Sequence, residues 1–244
     1  MNKNCKLAIM QPYFFPYLGY FQLIEKVDTF VLYGNVTFRK KSFITRNSLV
    51  DNADRQEDIR VFVQKASSNS LIIDIKLVDS DWKQRLTRQV RNIYANAPFF
   101  GECYPLLEAL ILNPAVDLHT YNSETIAGIC DLLHIKTPII IENNRLAEIE
   151  NSLDSNLELP VSTQRVIKLC EFYDAQTYCN PEGGVELYSK CMFAKHNVGL
   201  SFFKAGLDDI HAIRGEHKYT SIIDVLMHCG LDQARECVKA GSFF

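Results

Sequence analysis

The chain has 244 residues, of which 47% are hydrophobic and 23% are charged, the ordinary mixture of a folded globular protein. Its 26 lysines and arginines against 29 aspartates and glutamates give a formal net charge of −3, so the chain has no general attraction for nucleic acid. The longest apolar runs are far shorter than the roughly 20 residues of a membrane-spanning helix. This composition excludes a disordered chain, and it predicts no nucleic-acid partner and no membrane insertion.

Cysteine and histidine spacing indicates neither disulfides nor a metal site. The eight cysteines are irregularly spaced with no CxxC pair, and no two histidines lie three or four residues apart. This pattern is typical of reduced, buried thiols and predicts that no metal is bound. Residues 1–11 lack the long apolar core of a secretory signal, and we therefore expect a cytoplasmic protein.

The first 33 residues predict a βαβ unit. Residues 6–10 have the composition of a buried strand, and residues 12–16 contain two prolines and form a loop. Residues 19–27 have apolar side chains at helical spacing, and residues 29–33 are β-branched and aromatic. Because a helix connects the two strands, the strands are expected to be parallel.

The rest of the chain continues this pattern and predicts an α/β fold with a mainly parallel sheet flanked by helices. We expect one domain over residues 1–244, with a helical lobe at residues 81–135 and a mobile polar connection at residues 143–159. The further predicted strands are 59–64, 71–78, 138–142, 176–179 and 199–203, and the further predicted helices are 82–94, 104–112, 123–133, 163–173, 221–228 and 232–239.

The loop QPYFFPYLGY, residues 11–20, lies between the first strand and the first helix. In parallel sheets, ligands bind at the carboxyl ends of strands and beside helix N-termini. Tyrosine offers a ring face with a polar tip, glutamine donates and accepts hydrogen bonds, and glycine allows close approach. The alternative is that these rings only fill the base of the sheet. The residues predicted to line a binding site are Gln11, Tyr13, Tyr17, Gly19 and Tyr20.

Two other segments are candidates for binding a phosphate. Residues 39–46 carry four cations after the second strand, and we predict that Arg39, Arg46 and the adjacent Asn47 hold a phosphate or pyrophosphate. The alternative is a solvated basic surface. The pair Gly183 and Gly184 is the second candidate, although such a pair is more often a turn. GxGxxG, GxxxxGK[ST] and GxSxG motifs are absent.

The candidate catalytic residues come from a polar segment near the C-terminus. His211 and His217 lie in it, and the ordinary pKa of histidine suits proton transfer near neutral pH. Asp224 follows in the first turn of a predicted helix, where a carboxylate either takes part in catalysis or caps the helix.

Segments distributed over the whole chain match a known pattern that begins with MQPYFFPYLGYF. The segments that carry the match are residues 10–21, 28–32, 38–47, 82, 94–100, 118–122, 165–170, 178–188 and 221–230. Together they resemble the WbqC-like proteins almost from end to end. The chain departs from the pattern with Met10 where members often have His, with Thr37 where they often have Gln, and with Glu182 in the glycine loop.

The resemblance implies a bacterial cytoplasmic protein whose gene lies among those for surface polysaccharide, such as the O-antigen of lipopolysaccharide. Such pathways modify nucleotide-linked sugars. We therefore expect a transferase that adds an acyl or aminoacyl group to the amine of a nucleotide-linked amino sugar. The resemblance indicates no particular cofactor, donor or oligomeric state.

Two alternative functions stay open. The first is an ATP-dependent nucleotidyl transferase or ligase, because the start of the βαβ unit parallels the HxGH motif of the nucleotidylyltransferase-like fold. Tyr17 and Tyr20 stand at the two histidine positions of that motif, and a neutral phenol supplies no positive charge to a phosphate. This likeness is one of fold only. The second alternative is a non-catalytic protein that binds nucleotide-linked sugars.

Overall fold

A computed structural model describes residues 5–51, 53–67, 69–141 and 144–244 of the chain. Residues 1–4, which enter the expectation about a secretory signal, lie outside the described residues, as does Asn143 at the start of the predicted mobile connection. In chain order, the strands of the described chain are β1 (Lys6–Met10), β2 (Thr29–Leu32), β3 (Arg46–Val50), β4 (Gln56–Arg60), β5 (Ile139–Ile140), β6 (Thr177–Pro181), β7 (Gly199–Lys204) and β8 (Ser242–Phe243).

Helices alternate with these strands. Short 3₁₀ helices occupy Ile72–Asp74, Glu182–Leu187 and Gly215–Tyr219. The α-helices of the described chain are α1 (Leu18–Glu25), α2 (Trp82–Tyr94), α3 (Phe100–Ile111), α4 (Leu118–Leu132), α5 (Asn144–Asn151), α6 (Val161–Phe172), α7 (Lys190–Ala194), α8 (Asp208–Arg214) and α9 (Ile222–Cys237).

The central sheet has the strand order β5-β2-β1-β6-β7-β8, and β3 pairs with β4 in a separate antiparallel hairpin. Strands β5, β2, β1, β6 and β7 are parallel, and β8 is antiparallel to β7. The structure therefore confirms the predicted α/β fold with a mainly parallel sheet and flanking helices. The division into domains, with its lobe at residues 81–135, stays a prediction.

Both faces of the sheet are buried, each against its own hydrophobic cluster. Successive side chains of a strand point to opposite faces, so neighbouring residues belong to different clusters. In β1, Leu7 packs in one cluster and Ala8 in the other; in β2, Val31 and Phe30 are divided in the same way. Because both faces are covered, the strands are nearly continuously apolar, as is usual for parallel sheets.

The predicted helices with the clearest periodicity agree with the structure. Residues 82–94 form α2 as predicted, with Trp82, Leu86 and Val90 buried on one side. The two closing helices predicted at residues 221–228 and 232–239 correspond to α9. Its backbone leaves the helical conformation at Gly230, whose φ is 71°. The sequence therefore indicated the interruption as well as the two helical segments.

Several segments differ from the prediction. The strand expected at residues 59–64 is β4, which lies earlier and pairs with β3, and residues 71–78 form a 3₁₀ turn with isolated bridges. The connection expected to be mobile contains α5, because Leu146 is fully buried and attaches it to the core. The polar segment with His211 contains α8, because its apolar Ile210 is also buried.

The eight cysteines, all within the described residues, are reduced thiols, and all are buried except the partly exposed Cys5 and the exposed Cys191. Burial raises the pKa of the Cys130 and Cys170 thiols, the latter to about 12, so both are protonated at neutral pH. Among the helices that the structure describes, none has the length and apolar character needed to span a membrane.

Gly19 is required where α1 begins. A Cβ atom at this position would lie 2.4 Å from the Tyr17 ring and 2.8 Å from the Cβ of Ala205. The ring of Tyr17 can rotate, but the Cβ of Ala205 is fixed to its backbone. The absence of a side chain therefore lets α1 pack directly against the segment that follows β7.

We predict that Gly19→Ala lowers the free energy of unfolding by about 1–3 kcal/mol, the usual cost of overpacking. Gly101 is the matched control, since it is likewise the second residue of its helix and has open space where a Cβ would lie. Gly101→Ala is expected to leave stability unchanged or to raise it by up to ~1 kcal/mol. Urea denaturation measures both, and equal effects of the two substitutions would contradict this account.

Candidate functional site

The strand order creates a crevice between β1 and β6. The chain first passes from β1 to β2 and β5 on one side, and it later returns to place β6 and β7 on the other side of β1. In open parallel sheets, ligands bind outside the carboxyl ends of the strands at this change of direction. The carboxyl ends of β1 and β6 carry Gln11 and Asn180, and both residues line a cavity.

This cavity, called here the switch-point cavity, has a volume of about 700 Å³. That volume is within the range of ~300–1,000 Å³ that is usual for small-molecule sites. Its described lining combines tyrosine rings and side-chain amides with a few aliphatic groups. The lining residues are Ile9, Met10, Gln11, Tyr13, Pro16, Tyr17, Gly19, Tyr20, Leu23, Phe43, Asn47, Tyr178, Asn180, Pro181, Glu182, Gly183, Gly184, Leu187, Tyr188, Phe203, Ala205 and Tyr219.

The aromatic loop between β1 and α1 is held by hydrogen bonds to its backbone carbonyls. Asn47 donates from Nδ2 to the carbonyl oxygens of Phe14 at 3.2 Å and Phe15 at 2.7 Å. Ser221 Oγ donates to the Phe15 carbonyl at 2.9 Å, and Asn122 Nδ2 donates to that of Pro12 at 2.8 Å. These bonds stabilise Phe15 at a φ of 41°, a conformation that is unfavourable for an aromatic residue.

The tyrosines of this loop have different roles. Tyr20 is almost fully buried, and its hydroxyl donates to the Gln11 carbonyl at 2.8 Å. The Tyr13 ring packs between Tyr20 and Phe43, with centroid distances of 5.7 and 5.9 Å. Tyr20 is therefore mainly a packing residue. Tyr13 contacts Phe43 and so connects the loop to residues 39–46, called here the basic segment.

Tyr17 faces Tyr219, with a distance of 5.9 Å between the ring centroids. Burial raises the pKa of Tyr17 to about 12, and the nearby Tyr219 and Glu182 add to the shift. Burial also raises the pKa of Tyr13 and Tyr20. These phenols are therefore protonated at neutral pH and act as neutral hydrogen-bond groups.

The opposite wall of the cavity comes from the end of β6. The Tyr178 hydroxyl donates to Asn180 Oδ1 at 2.8 Å and fixes the orientation of the amide. Gly184 packs directly against this amide, since a Cβ there would lie 1.8 Å from Asn180 Nδ2. Gly184 thus makes room for Asn180. The 3₁₀ helix at this place begins with Glu182, a carboxylate that opposes the binding of an anion.

The structure brings most of the predicted binding residues together in the switch-point cavity. Those that line it are Gln11, Tyr13, Tyr17, Gly19, Tyr20, Asn47, Gly183 and Gly184. Their functional roles stay predictions. The Asn47 amide already donates hydrogen bonds to carbonyls of the aromatic loop. The space beside Gly19 is already filled by neighbouring side chains.

The basic segment lies beside the cavity. Neither Arg39 nor Arg46 is among its described lining residues, although Phe43 between them is. Arg46 donates from Nη2 to the Lys41 carbonyl at 2.8 Å, and Arg39 and Lys41 are exposed. The backbone amide of Phe14 donates to the Phe43 carbonyl at 2.8 Å and attaches this segment to the aromatic loop.

The candidate catalytic residues lie outside the described lining. Asp224 is fully buried, where it accepts hydrogen bonds from Arg214 Nε and the Tyr94 hydroxyl, each at 2.8 Å. His211 Nδ1 lies 2.8 Å from the Gly215 carbonyl, and His217 Nε2 lies 4.0 Å from an Asp54 oxygen.

The Asp224 ion pair joins α8 to α9. Arg214 is the last residue of α8, and the 3₁₀ helix that follows it ends at Tyr219 in the cavity lining. Burial and the charge of Asp224 raise the pKa of Tyr94, which therefore keeps its proton and donates a hydrogen bond to this carboxylate. The geometry of Asp224 is that of a structural anchor for the segment that carries Tyr219.

The sequence interpretation missed several lining residues. For Asn180 and Glu182 a signal was present, because Asn180 lies in the last two residues of β6 and Glu182 follows it. The rule about carboxyl ends that applies to Gln11 after β1 applies here too. Tyr219 and Leu187 had no local signal. The lining residues that the sequence did not indicate include Phe43, Tyr178, Asn180, Glu182, Leu187, Tyr188 and Tyr219.

Comparison with known proteins gives one family and one relative. A family model described as the WbqC-like protein family matches residues 11–236. Uncharacterized protein Rv1507c of Mycobacterium tuberculosis is 27% identical over 231 residues, which cover 93% of this chain and 95% of that protein. No solved structure matches the chain significantly.

We predict that Asp224→Ala lowers the free energy of unfolding by about 3–5 kcal/mol, because it breaks an ion pair whose carboxylate is fully buried and leaves the partly buried Arg214 charge without its partner. Asp209→Ala is the control, since Asp209 is an exposed acidic residue in the first turn of α8. Its removal is expected to cost no more than ~1 kcal/mol. Chemical denaturation measures both, and an Asp224→Ala protein as stable as the control would rule out the anchoring role.

Proposed function

The chain belongs to the WbqC-like protein family, and from this membership and the switch-point cavity we propose that the protein modifies a nucleotide-linked amino sugar. The step belongs to the synthesis of a bacterial surface polysaccharide such as O-antigen, in the cytoplasm. The reaction is the transfer of an acyl or aminoacyl group to the sugar amine. The observation that carries this proposal is a cavity lined by tyrosines and amides at the change of strand direction.

The lining suits the chemistry of a sugar. The C–H faces of a pyranose pack against aromatic rings, and its hydroxyls need neutral donors and acceptors. Tyr13 and Tyr17 supply rings and phenol groups, and Asn180 supplies an oriented amide. The side-chain amide of Gln11 makes no hydrogen bond within the part of the chain that the structure describes, so it is available to a hydroxyl.

The mouth of the cavity supports binding of the nucleotide part. Phe43, Leu187 and Tyr219 line the cavity and are 61%, 70% and 61% exposed, so their apolar surfaces form a rim on which a base can stack. The cations of residues 39–46 flank Phe43 in sequence. A diphosphate that leaves the cavity past Phe43 would meet Arg39 or Lys41 in solvent-exposed positions.

The reacting amine must be neutral, so a sugar that enters as its ammonium form first loses a proton to a base, and the acid must be activated. The amine nitrogen attacks the carbonyl carbon of an acyl thioester or ester, a C–N bond forms, and the C–S or C–O bond of the donor breaks with its electron pair leaving on sulfur or oxygen. The nitrogen then loses a proton to a base within hydrogen-bond reach. We predicted His211 or His217 for this step, but the described lining contains neither. It does contain the carboxylate of Glu182.

The alternative of an ATP-dependent nucleotidyl transferase or ligase has less support. It needs groups at positions 17 and 20 that stabilise a phosphate, yet the Tyr20 hydroxyl already donates to the Gln11 carbonyl within the core. A non-catalytic sugar-nucleotide-binding protein would use the same cavity. Product analysis by mass spectrometry, with an amino sugar and an acyl donor both present, separates that alternative from catalysis.

We predict that UDP-linked and dTDP-linked sugars bind and raise the melting temperature, whereas ATP alone does not. Tyr219→Ala is expected to weaken sugar-nucleotide affinity about tenfold, because loss of one base-stacking ring costs roughly 1–3 kcal/mol. Phe172→Ala is the matched control, since Phe172 is a 44% exposed aromatic residue that does not line the cavity.

Thermal-shift and calorimetric titrations measure these effects. Stabilisation by ATP and by no sugar nucleotide would favour the ligase and contradict the proposal. Equal affinities of Tyr219→Ala and Phe172→Ala would show that the rim does not hold the base.

A further inference from the structure

The charge of the switch-point cavity is unusual for a site that takes a phosphorylated ligand. Among its described lining residues there is no lysine, arginine or histidine, and Glu182 is the single carboxylate. The six lining tyrosines are uncharged while protonated, and burial raises the pKa of five of them, Tyr13, Tyr17, Tyr20, Tyr178 and Tyr188. Glu182 is therefore the one formally charged side chain in the described lining of the cavity.

Glu182 has a defined place in this lining. It is the first residue of the 3₁₀ helix that follows β6, next to the wall formed by Asn180 and Gly184. Glu182 and Tyr17 both line the cavity, and the charge of Glu182 contributes to the raised pKa of Tyr17.

The Glu182 carboxylate also lacks an internal counter-ion. Within the described parts of the chain, its carboxylate forms no ion pair with a lysine, arginine or histidine. By contrast, Glu150 on the other side of the sheet is paired with Arg165 and accepts a hydrogen bond from Tyr33. An unpaired carboxylate in a cavity of aromatic rings and amides is complementary to a cation.

We propose that Glu182 is the residue that makes the site specific for an amine, by accepting a charge-assisted hydrogen bond from the ammonium group of the sugar. This inference rests on the proposed function and narrows its substrate class to sugars with a free amine. A hydroxyl or an N-acetylated amine at the same position would leave the carboxylate without a cationic partner. The diphosphate of such a ligand would lie toward the mouth, away from Glu182 and near the basic segment.

The test compares matched ligands. UDP-glucosamine is compared with UDP-glucose and UDP-N-acetylglucosamine, and a dTDP-linked 4-amino-4,6-dideoxyglucose is compared with dTDP-6-deoxyglucose, so that amines at two ring positions are covered. Calorimetric titration gives the dissociation constants. The wild-type chain is expected to prefer an amine in at least one series by roughly tenfold or more, the usual value of a hydrogen bond to a charged group.

Two variants test whether the preference for an amine comes from the Glu182 carboxylate. Glu182→Gln keeps the size of the side chain and removes the charge, and it is expected to bring the amine-to-hydroxyl affinity ratio close to one. Glu186→Gln is the control, because Glu186 is an exposed residue of the same 3₁₀ helix that does not line the cavity. It is expected to keep the wild-type ratio. Glu182 is itself exposed, so both variants are expected to fold, and circular dichroism checks this.

The outcomes separate this inference from the proposed function. If the wild-type chain binds both sugars of every series equally, or if Glu182→Gln keeps the wild-type preference, the role of Glu182 is wrong while sugar-nucleotide binding stands. If Glu182→Gln and Glu186→Gln lose the preference alike, the effect comes from general charge and the specific role is also overturned. If no sugar nucleotide binds to the wild-type chain, the proposed function itself fails, and this inference fails with it.

Discussion

The parallel pairing of β1 with both β2 and β6 is the constraint on which the rest of this structure depends. Because the chain fills one side of β1 first and returns to the other side later, the order of the strands reverses between β1 and β6 and leaves a crevice at their carboxyl ends. The two faces of the sheet are sealed by separate hydrophobic clusters. Loops occupy the edge of the sheet at the carboxyl ends of the strands, and there Gln11 and Asn180 line the same cavity.

The walls of this cavity are fixed by the fold before any ligand arrives. Asn47 and Asn122 donate to carbonyls of the aromatic loop, and Asp224 holds Arg214 at the start of the segment that carries Tyr219. Buried polar side chains that are satisfied in this way make a loop rigid. Preorganised walls reduce the entropy that binding a sugar would otherwise cost. Some polar residues that the sequence suggests as ligand-binding or catalytic residues, such as Asn47 and Asp224, therefore hold the cavity walls in place instead.

The sequence predicted the parts of the molecule that are set by local pattern. The βαβ start, α2 and the interruption of α9 at Gly230 follow from apolar spacing and from glycine and proline positions. The rule about strand ends placed Gln11 and Tyr17 at the cavity. Local sequence patterns do not predict contacts between residues that are far apart in the chain. Nothing near Asp224 in sequence indicates Tyr94, and nothing near residue 17 indicates that Tyr219 packs against it. The same limit applies to Leu146, whose burial turns a polar connection into α5.

A crystal structure of the chain with UDP-glucosamine tests the central claim most directly, because the surface offers a second concavity of different character. An open groove of about 770 Å³ between the β3–β4 hairpin and α2 is lined by Arg55, Arg85 and Arg88 together with Asp51 and Glu57. Its formal excess of one positive charge makes it the alternative place for a diphosphate. The account predicts the sugar between Tyr17, Asn180 and Glu182, with the nucleotide at the rim. The ligand seated in the arginine-lined groove, with the switch-point cavity filled by water, would contradict it.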